Sequence, residues 1–290
     1  MAPASPKPQI PWIALSWFGL LIAVCSAPAL YSLASIWASD ADMGHGFFVP
    51  LIAAFIAWQR RDELLAIEPK PNLWGLVVVI LGGAQLIAGT LGVEQFLTHT
   101  AVVITLIGVI WLLRGTETLR TLVFPLFLLF FMVPIPLIIY NKITLPLQFI
   151  ASRMAASALD MLGIPVLRDG NVLELPHQTL SVVEACSGIR SLLSLTFLSL
   201  VYGYFFEKRI WVRVVLFAAT IPIAIVANGS RVAFTGIMTQ IKPELAEGFF
   251  HESTGWVIFI VALIILVLFH RLMVRTVRFV AARRAHALTF

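Results

Sequence analysis

Residues 254–270 read TGWVIFIVALIILVLFH, a run without aspartate, glutamate, lysine or arginine. A helix needs about 20 mostly apolar residues to cross the hydrocarbon of a bilayer, and this run with its flanks supplies them. The whole chain has the same character, because 60% of its 290 residues are hydrophobic, 12% are charged and the mean hydropathy is +0.95. Soluble domains are nearer half apolar and a quarter charged. The sequence therefore predicts an all-α polytopic membrane protein.

Eight runs predict membrane-spanning helices, and the first lacks a small-residue cleavage site, which favours a retained span over a signal peptide. The runs are 12–37, 47–59 extended by its flanks, 73–92, 97–113, 121–139, 188–206, 210–227 and 254–270. The chain is expected to form one integral membrane domain, 1–290.

The placement of lysine and arginine predicts the orientation. With the N-terminus inside, 14 of the 20 basic residues fall on cytoplasmic segments, so both termini are predicted to be cytoplasmic. The net charge of +5 fits anchoring to anionic membrane lipid rather than a nucleic-acid partner. Two cysteines exclude a zinc or disulfide framework, and no cofactor or metal is predicted. Six basic residues remain outside: Lys142, Arg153, Arg168, Arg190, Arg231 and Lys242.

The longest outer segment, residues 140–187, lies between predicted spans five and six. Its first part, LPLQFIASRMAASALDML at 145–162, has apolar positions at helical spacing and predicts a small extracytoplasmic interfacial helix. Its second part, at 164–186, alternates on both sides of RDGN. That pattern predicts a β-hairpin with its turn at the glycine.

Cys186 lies in EACSGIRS, where this polar segment gives way to an apolar run. The helix is expected to begin just after it. Amide N–H groups at a helix start carry partial positive charge, which favours the thiolate form of a cysteine. The same groups can stabilise the oxyanion of a tetrahedral intermediate. Cys186 is therefore a candidate nucleophile, and the alternative is a small apolar residue at a helix start, a role that suits Cys25.

Arg231 lies in NGSR, after the seventh predicted span, where Asn228 or Ser230 is expected to cap a short helix. An arginine on the outer side opposes the orientation bias, so a local partner is expected. A guanidinium binds a carboxylate or a developing oxyanion. The alternative, an anchor to lipid phosphate, stays open.

The segment HESTGW precedes the eighth predicted span, which Ser253 or Thr254 is expected to cap with His251 just outside it. Histidine can take a proton from a thiol and return it to a leaving amine near neutral pH. Short loops join spans six, seven and eight. The sequence therefore predicts that Cys186, Arg231 and His251 meet as an acyl-transfer site.

Four residues are candidates for supporting roles. Glu184 is expected to face the same way as the nucleophile on an extended strand, where it orients His251 or, on the safer interpretation, pairs with Arg190. His45, in MGHGFFVP, either helps to position substrate or begins a helix. Asn228 is the fourth.

These motifs resemble those of the exosortase/archaeosortase family, multi-spanning membrane cysteine proteases or transpeptidases. In that family a cysteine, an arginine and a third basic residue form the active site, which the resemblance places at Cys186, Arg231 and His251. The resemblance runs from about His45 to Trp256 and implies a core over about 45–270. Residues 271–290, after the last predicted span, are predicted to be a basic cytoplasmic tail. The motifs are HGFFVP at 45–50, EACSGIRS at 184–191, NGSR at 228–231 and HESTGW at 251–256.

The resemblance also implies a substrate and a location. Bacterial exosortases process exported proteins whose C-terminus carries a Pro-Glu-Pro-type (PEP-CTERM) motif, a transmembrane helix and a basic cluster. The implied location is the bacterial cytoplasmic (inner) membrane, with the active site on the outer face and an acceptor linked to exopolysaccharide or lipid. This chain is expected to be a short form without an extra C-terminal domain.

Two other function classes stay open from the residues alone. One is a non-enzymatic transporter or exopolysaccharide-export component, although the predicted spans carry few of the charges that mark translocation paths. The other is a membrane acyltransferase whose nucleophile is Ser187 or Ser191.

Overall fold

The computed structural model describes residues 12–176, 178–182, 189–241 and 248–287. The chain divides into two compact units, Met1–Leu137 and Ile138–Phe290. Helices dominate both units, which confirms the all-α polytopic membrane class. The single integral domain over 1–290 stays a prediction.

The regular elements in the described part of the first unit are all helices. Its elements are α1 (Trp12–Cys25), α2 (Ala27–Ser39), a 3₁₀ helix (Ala41–Phe47), α3 (Phe48–Gln59), α4 (Arg61–Ala66), α5 (Trp74–Leu91), α6 (Gln95–Arg114), α7 (Thr116–Leu128) and a second 3₁₀ helix (Leu129–Met132).

The second unit combines helices with one small sheet. Its elements are α8 (Leu137–Met161), β1 (Leu167–Asp169), β2 (Val172–Glu174), β3 (Thr179–Ser181), α9 (Ile189–Phe206), α10 (Ile210–Ile241) and α11 (Gly248–Ala287).

Five helices of the described chain are long and apolar enough to cross a membrane, and the number rises to seven if each of two bent pairs forms one span. In the first pair, α1 and α2 meet at 78°. Pro28 lies in the first turn of α2, where its missing N–H is tolerated but its ring opposes a continuous helix from α1. In the second, Pro134 and Pro136 separate the second 3₁₀ helix from α8. The predicted count of eight spans stays a prediction.

A seven-residue repeat of buried glycines brings α5 and α6 together. Gly75, Gly82 and Gly89 lie on the face of α5 that meets α6. A Cβ at Gly75 would lie 2.5 Å from the Cα of Leu112 and 2.8 Å from the carbonyl oxygen of Gly108. Between apolar helices in lipid, such close backbone approach supplies packing that the hydrophobic effect does not.

The small sheet of the second unit packs against α8. Strands β1 and β2 pair antiparallel with Asp169 opposite Val172, and the turn uses Gly170 at φ +60°. This is the position where the sequence predicted a turn, because glycine adopts positive φ without strain. Strand β3, paired antiparallel with β2, was not predicted. The Ser152 hydroxyl of α8 donates to the Gly170 carbonyl over 2.9 Å, fixing the turn to the helix.

Helix α8 begins at Leu137, earlier than the interfacial helix predicted at 145–162. Its placement on the outer membrane surface stays a prediction. The apolar side of the sheet, α8 and α10 share one buried cluster: Ala151, Ala155, Leu159, Leu173, Leu175, Leu180, Val182, Val232 and Ala233.

Helices α9, α10 and α11 pack on one another around a second apolar cluster, which contains Leu195, Leu216, Ala224, Ala262 and Leu266. At one end of this bundle, the Tyr202 hydroxyl lies 3.0 Å from Nδ1 of His270. Nε2 of the same histidine lies 3.4 Å from a carboxylate oxygen of Glu207. The backbone amide of Arg209 donates to this carboxylate and, as the largest effect, lowers the pKa of Glu207. These contacts tie α11 to the turn between α9 and α10.

The glycine repeat yields a test with a matched control. Alanine at Gly75 forces backbone atoms of α6 away, so Gly75→Ala is expected to lower the thermal stability of the detergent-purified protein. Gly83→Ala is the control, because a Cβ there meets nothing within 4 Å. The helix propensity of alanine exceeds that of glycine by about 1 kcal/mol, so this control should be neutral or stabilising. Equal stability changes in the two variants would contradict the close packing.

Candidate active site

Arg231 lies inside a continuous helix. The prediction of a span ending at 227, followed by a short helix capped by Asn228 or Ser230, was wrong, because α10 runs unbroken through Ile241. Residues such as asparagine, glycine and serine have low helix propensity, and tertiary packing overrides it here. Gly229 shows this packing, since a Cβ at that position would lie 3.1 Å from the Cβ of Met154 on α8.

The guanidinium of Arg231 packs on the backbone of Gly255 in α11. A Cβ at Gly255 would lie 3.1 Å from both Cζ and Nη2 of Arg231, and 3.4 Å from Nη1. Near-equal distances to these three atoms mean that Gly255 faces the plane of the guanidinium rather than its edge. The N–H donors of the group point along that plane, away from the stacking contact. A glycine at 255 is what permits this approach.

His251 lies one helical turn before Gly255 on α11. The prediction that Ser253 or Thr254 caps the last span, with His251 outside it, was wrong, because α11 begins at Gly248. Serine and threonine cost only about 0.5 kcal/mol relative to alanine within a helix, so the additional turn needs little support. Residues four apart lie one above the other on a helix. The backbone of His251 is therefore one turn from the residue that Arg231 covers, and its side chain lies outside the described part of the chain.

Cys186 and Glu184 lie outside the described residues, in the segment 183–188. The residues on both sides of that segment are described and buried. Val182 is fully buried in the cluster that contains Val232, the neighbour of Arg231. On the other side, Ile189 begins α9 and is 1% exposed.

The register of α9 against α10 shows how far along the bundle Ile189 lies relative to Arg231. Across these antiparallel helices, the hydroxyls of Thr196 and Thr220 are 3.2 Å apart. Both helices rise about 1.5 Å per residue. Ile189, seven residues before Thr196, is consequently level with Ala227, seven residues after Thr220. Arg231 lies one turn further along α10, so the start of α9, Arg231 and the face of Gly255 share one end of the bundle.

The supporting candidates separate into two groups. Asn228 is 5% exposed and lies on α10 one turn before Arg231, so the structure brings these two together. Arg190 is exposed in the first turn of α9, and its predicted pairing with Glu184 involves a residue outside the described chain.

His45 belongs to the first unit, in the 3₁₀ helix before α3. Its Nε2 lies 3.1 Å from the carbonyl oxygen of Phe131, a contact in which the ring nitrogen donates. Burial lowers the pKa of His45 and favours the neutral ring. This geometry gives His45 a structural contact at the entry to α3.

Gly255, which contacts the guanidinium of Arg231, is a candidate that sequence reasoning missed. The available signal was its spacing, four residues after His251 at the start of an otherwise bulky apolar run. Within the described residues, no group of three or more histidine, cysteine, aspartate or glutamate side chains could hold a metal ion.

A thermodynamic cycle tests the stacking contact. Gly255→Leu is expected to lower the thermal stability, because its side chain enters the space of the guanidinium. In an Arg231→Ala background that space is open, so the same change should cost much less. Val257→Leu on the exposed side of α11 is the control and should have equal effects in both backgrounds. Additivity of Gly255→Leu and Arg231→Ala would contradict the contact.

Comparison with known proteins completes this description. The family model for transmembrane exosortases matches residues 37–268, from α2 into α11, and the match includes Arg231 and His251. Comparisons with curated proteins and with solved structures found no match. The family resemblance predicted from four short motifs is thereby confirmed over most of the chain, and the protein belongs to the transmembrane exosortase family.

Proposed function

We propose that this chain is a membrane cysteine transpeptidase that cleaves the C-terminal sorting signal of exported proteins and transfers them to an acceptor. The observation that carries the proposal is the stacking of Arg231 on Gly255, one helical turn from His251. That contact supports the proposal because it sets one predicted catalytic side chain, Arg231, one helical turn from the backbone of another, His251. The third, Cys186, lies outside the described residues, and the described residues Val182 and Ile189 are four and three positions from it in the sequence.

The chemistry begins with a docked substrate helix whose scissile peptide reaches this end of the bundle. His251 takes the proton from the Cys186 thiol, and the sulfur attacks the peptide carbonyl to form a tetrahedral oxyanion. Collapse of the intermediate breaks the C–N bond, and His251 gives the proton to the leaving amine. The thioester then reacts with an acceptor nucleophile, or with water, and frees the thiol.

Arg231 supplies positive charge to this site in one of two ways. It stabilises the oxyanion, or it binds the glutamate of a Pro-Glu-Pro motif. Stacking on Gly255 fixes the plane of the guanidinium before substrate arrives. A charge that is already oriented costs little reorganisation when negative charge develops on the substrate.

The length of α11 supports a site on one membrane face and basic residues on the other. Twenty residues separate His251 from Arg271, which corresponds to about 30 Å of helix and matches the thickness of the hydrocarbon layer. Arg271, Arg275 and Arg278 are exposed at the far end. The positive-inside rule favours a cytoplasmic location for this end, which supports a proposed site on the outer face of the bacterial cytoplasmic membrane.

The proposed partners follow from that placement. Membrane lipid surrounds the apolar helices, and the sorting-signal helix approaches laterally so that its Pro-Glu-Pro motif emerges at the outer face. Its C-terminal basic cluster stays on the cytoplasmic side. The acceptor attacks from the outer side and is linked to exopolysaccharide or lipid.

A coexpressed reporter with a Pro-Glu-Pro motif, a transmembrane helix and a basic cluster tests the proposal. Cys186→Ala is expected to abolish cleavage, and Arg231→Ala and His251→Ala to reduce its rate by about 100- to 1,000-fold, as loss of one transition-state contact does. Cleavage is measured as the shift in reporter mass. Cys25→Ala is the thiol control and should cleave normally, since Cys25 is exposed on α1. Normal processing by Cys186→Ala would overturn the proposal.

A further inference from the structure

Resting on the proposed function, we propose that the side-chain amide of Asn228 is a catalytic hydrogen-bond donor, which binds the carbonyl oxygen of the scissile peptide as it becomes an oxyanion.

The side chain of Asn228 is buried and incompletely satisfied. The residue is 5% exposed, and among the described residues its Nδ2 atom has no hydrogen-bond partner. Buried amide groups nearly always have a partner, because leaving one unmade forfeits its hydration without compensation. The unpaired donor of Asn228 is therefore available to a ligand that binds during function.

The position of Asn228 identifies that ligand as the substrate. Asn228 precedes Arg231 by three residues, so both side chains project from the same side of α10. The register set by Thr196 and Thr220 places Ile189, at the start of α9, level with Ala227, the residue next to Asn228. The donor thus lies beside the point where the chain that carries the nucleophile enters the bundle.

Buried side-chain nitrogens of Gln240 and His99 also lack a partner among the described residues, and they do not share this setting. Nε2 of Gln240 lies in the last turn of α10, and Nδ1 of His99 belongs to α6 in the first unit. Only Asn228 among these three is one turn from the guanidinium that stacks on Gly255.

The chemistry of a neutral amide suits the reaction. Attack by the Cys186 sulfur moves an electron pair from the C=O bond onto oxygen, and the Asn228 N–H donates to that oxygen. No proton leaves the amide, so the donor is regenerated unchanged when the C–N bond breaks. A fixed neutral donor adds to the positive charge of Arg231 without requiring a second buried ion.

Asn228→Leu separates a catalytic role from a structural one. Leucine has a similar size and removes both donors, so it also removes an unsatisfied buried group. We expect kcat on the reporter to fall by about 100- to 1,000-fold with KM nearly unchanged. The thermal stability of the same variant should equal or exceed that of the wild type. Alkylation of Cys186 by iodoacetamide, which needs no oxyanion donor, should proceed at the wild-type rate.

Thr220→Val is the matched control, because it removes a buried polar group of α10 two turns away, where Thr220 contacts Thr196. It should leave kcat within about threefold of wild type. Two results would overturn the inference: a kcat for Asn228→Leu within that threefold range, or a loss of stability that parallels the loss of activity.

Failure of the proposed function gives a different pattern. If Cys186→Ala processes the reporter normally, the cysteine mechanism fails whatever Asn228→Leu does. If the wild-type protein does not cleave the reporter, the thermal stability of Asn228→Leu still tests the inference. A variant less stable than wild type would show that Asn228 has a structural role and would overturn it.

Discussion

The contact between the Arg231 guanidinium and the backbone of Gly255 joins α10 to α11 in the second unit of this exosortase-family protein. A charged side chain within a membrane bundle is costly unless it lies at a polar end and is packed in place. Here a missing Cβ on α11 provides a flat surface for the group, and Gly229 provides the matching close approach of α10 to α8. Helix α10 therefore contacts α11 through Arg231, and it contacts α8 and the sheet through Gly229 and Val232.

The bundle of α9, α10 and α11 has different chemistry along its length. Tyr202, His270 and Glu207 form polar contacts at one end, and an apolar cluster around Leu216 fills the middle. The opposite end carries Asn228 and Arg231. A rigid apolar middle keeps the register between the ends, so side chains from separate helices meet at a defined height. This division explains how Arg231 and Gly255, which belong to separate helices, come into contact at one end of the bundle.

Much of this arrangement was predictable from local patterns. Apolar runs give the membrane class, and RDGN gives the turn because glycine alone among its residues tolerates positive φ at no cost. Four short motifs indicated the family. Helix ends were predicted less well, since NGSR and HESTGW contain good capping residues that the structure uses inside α10 and α11.

These errors arise because tertiary packing between residues distant in sequence overrides local capping preferences. A capping preference is worth only about 1 kcal/mol, whereas packing of Gly229 on Met154 acts across more than 70 residues of sequence and has no local signature. The stacking of Arg231 on Gly255 was beyond local reasoning for the same reason. Motif chemistry does point to Arg231 and His251, because chemistry depends on residue types that the sequence states directly, and their catalytic roles stay a prediction.

The most direct measurement of the central claim is cross-linking in membranes between Cys186 and a cysteine at position 251. In a Cys25→Ala background, His251→Cys should join Cys186 rapidly through a short bifunctional thiol reagent, and Leu272→Cys, exposed at the far end of α11, should not. Efficient joining at 251 alone places the nucleophile at the end of the bundle where Arg231 stacks. Failure at 251, or equal joining at 272, would contradict the account.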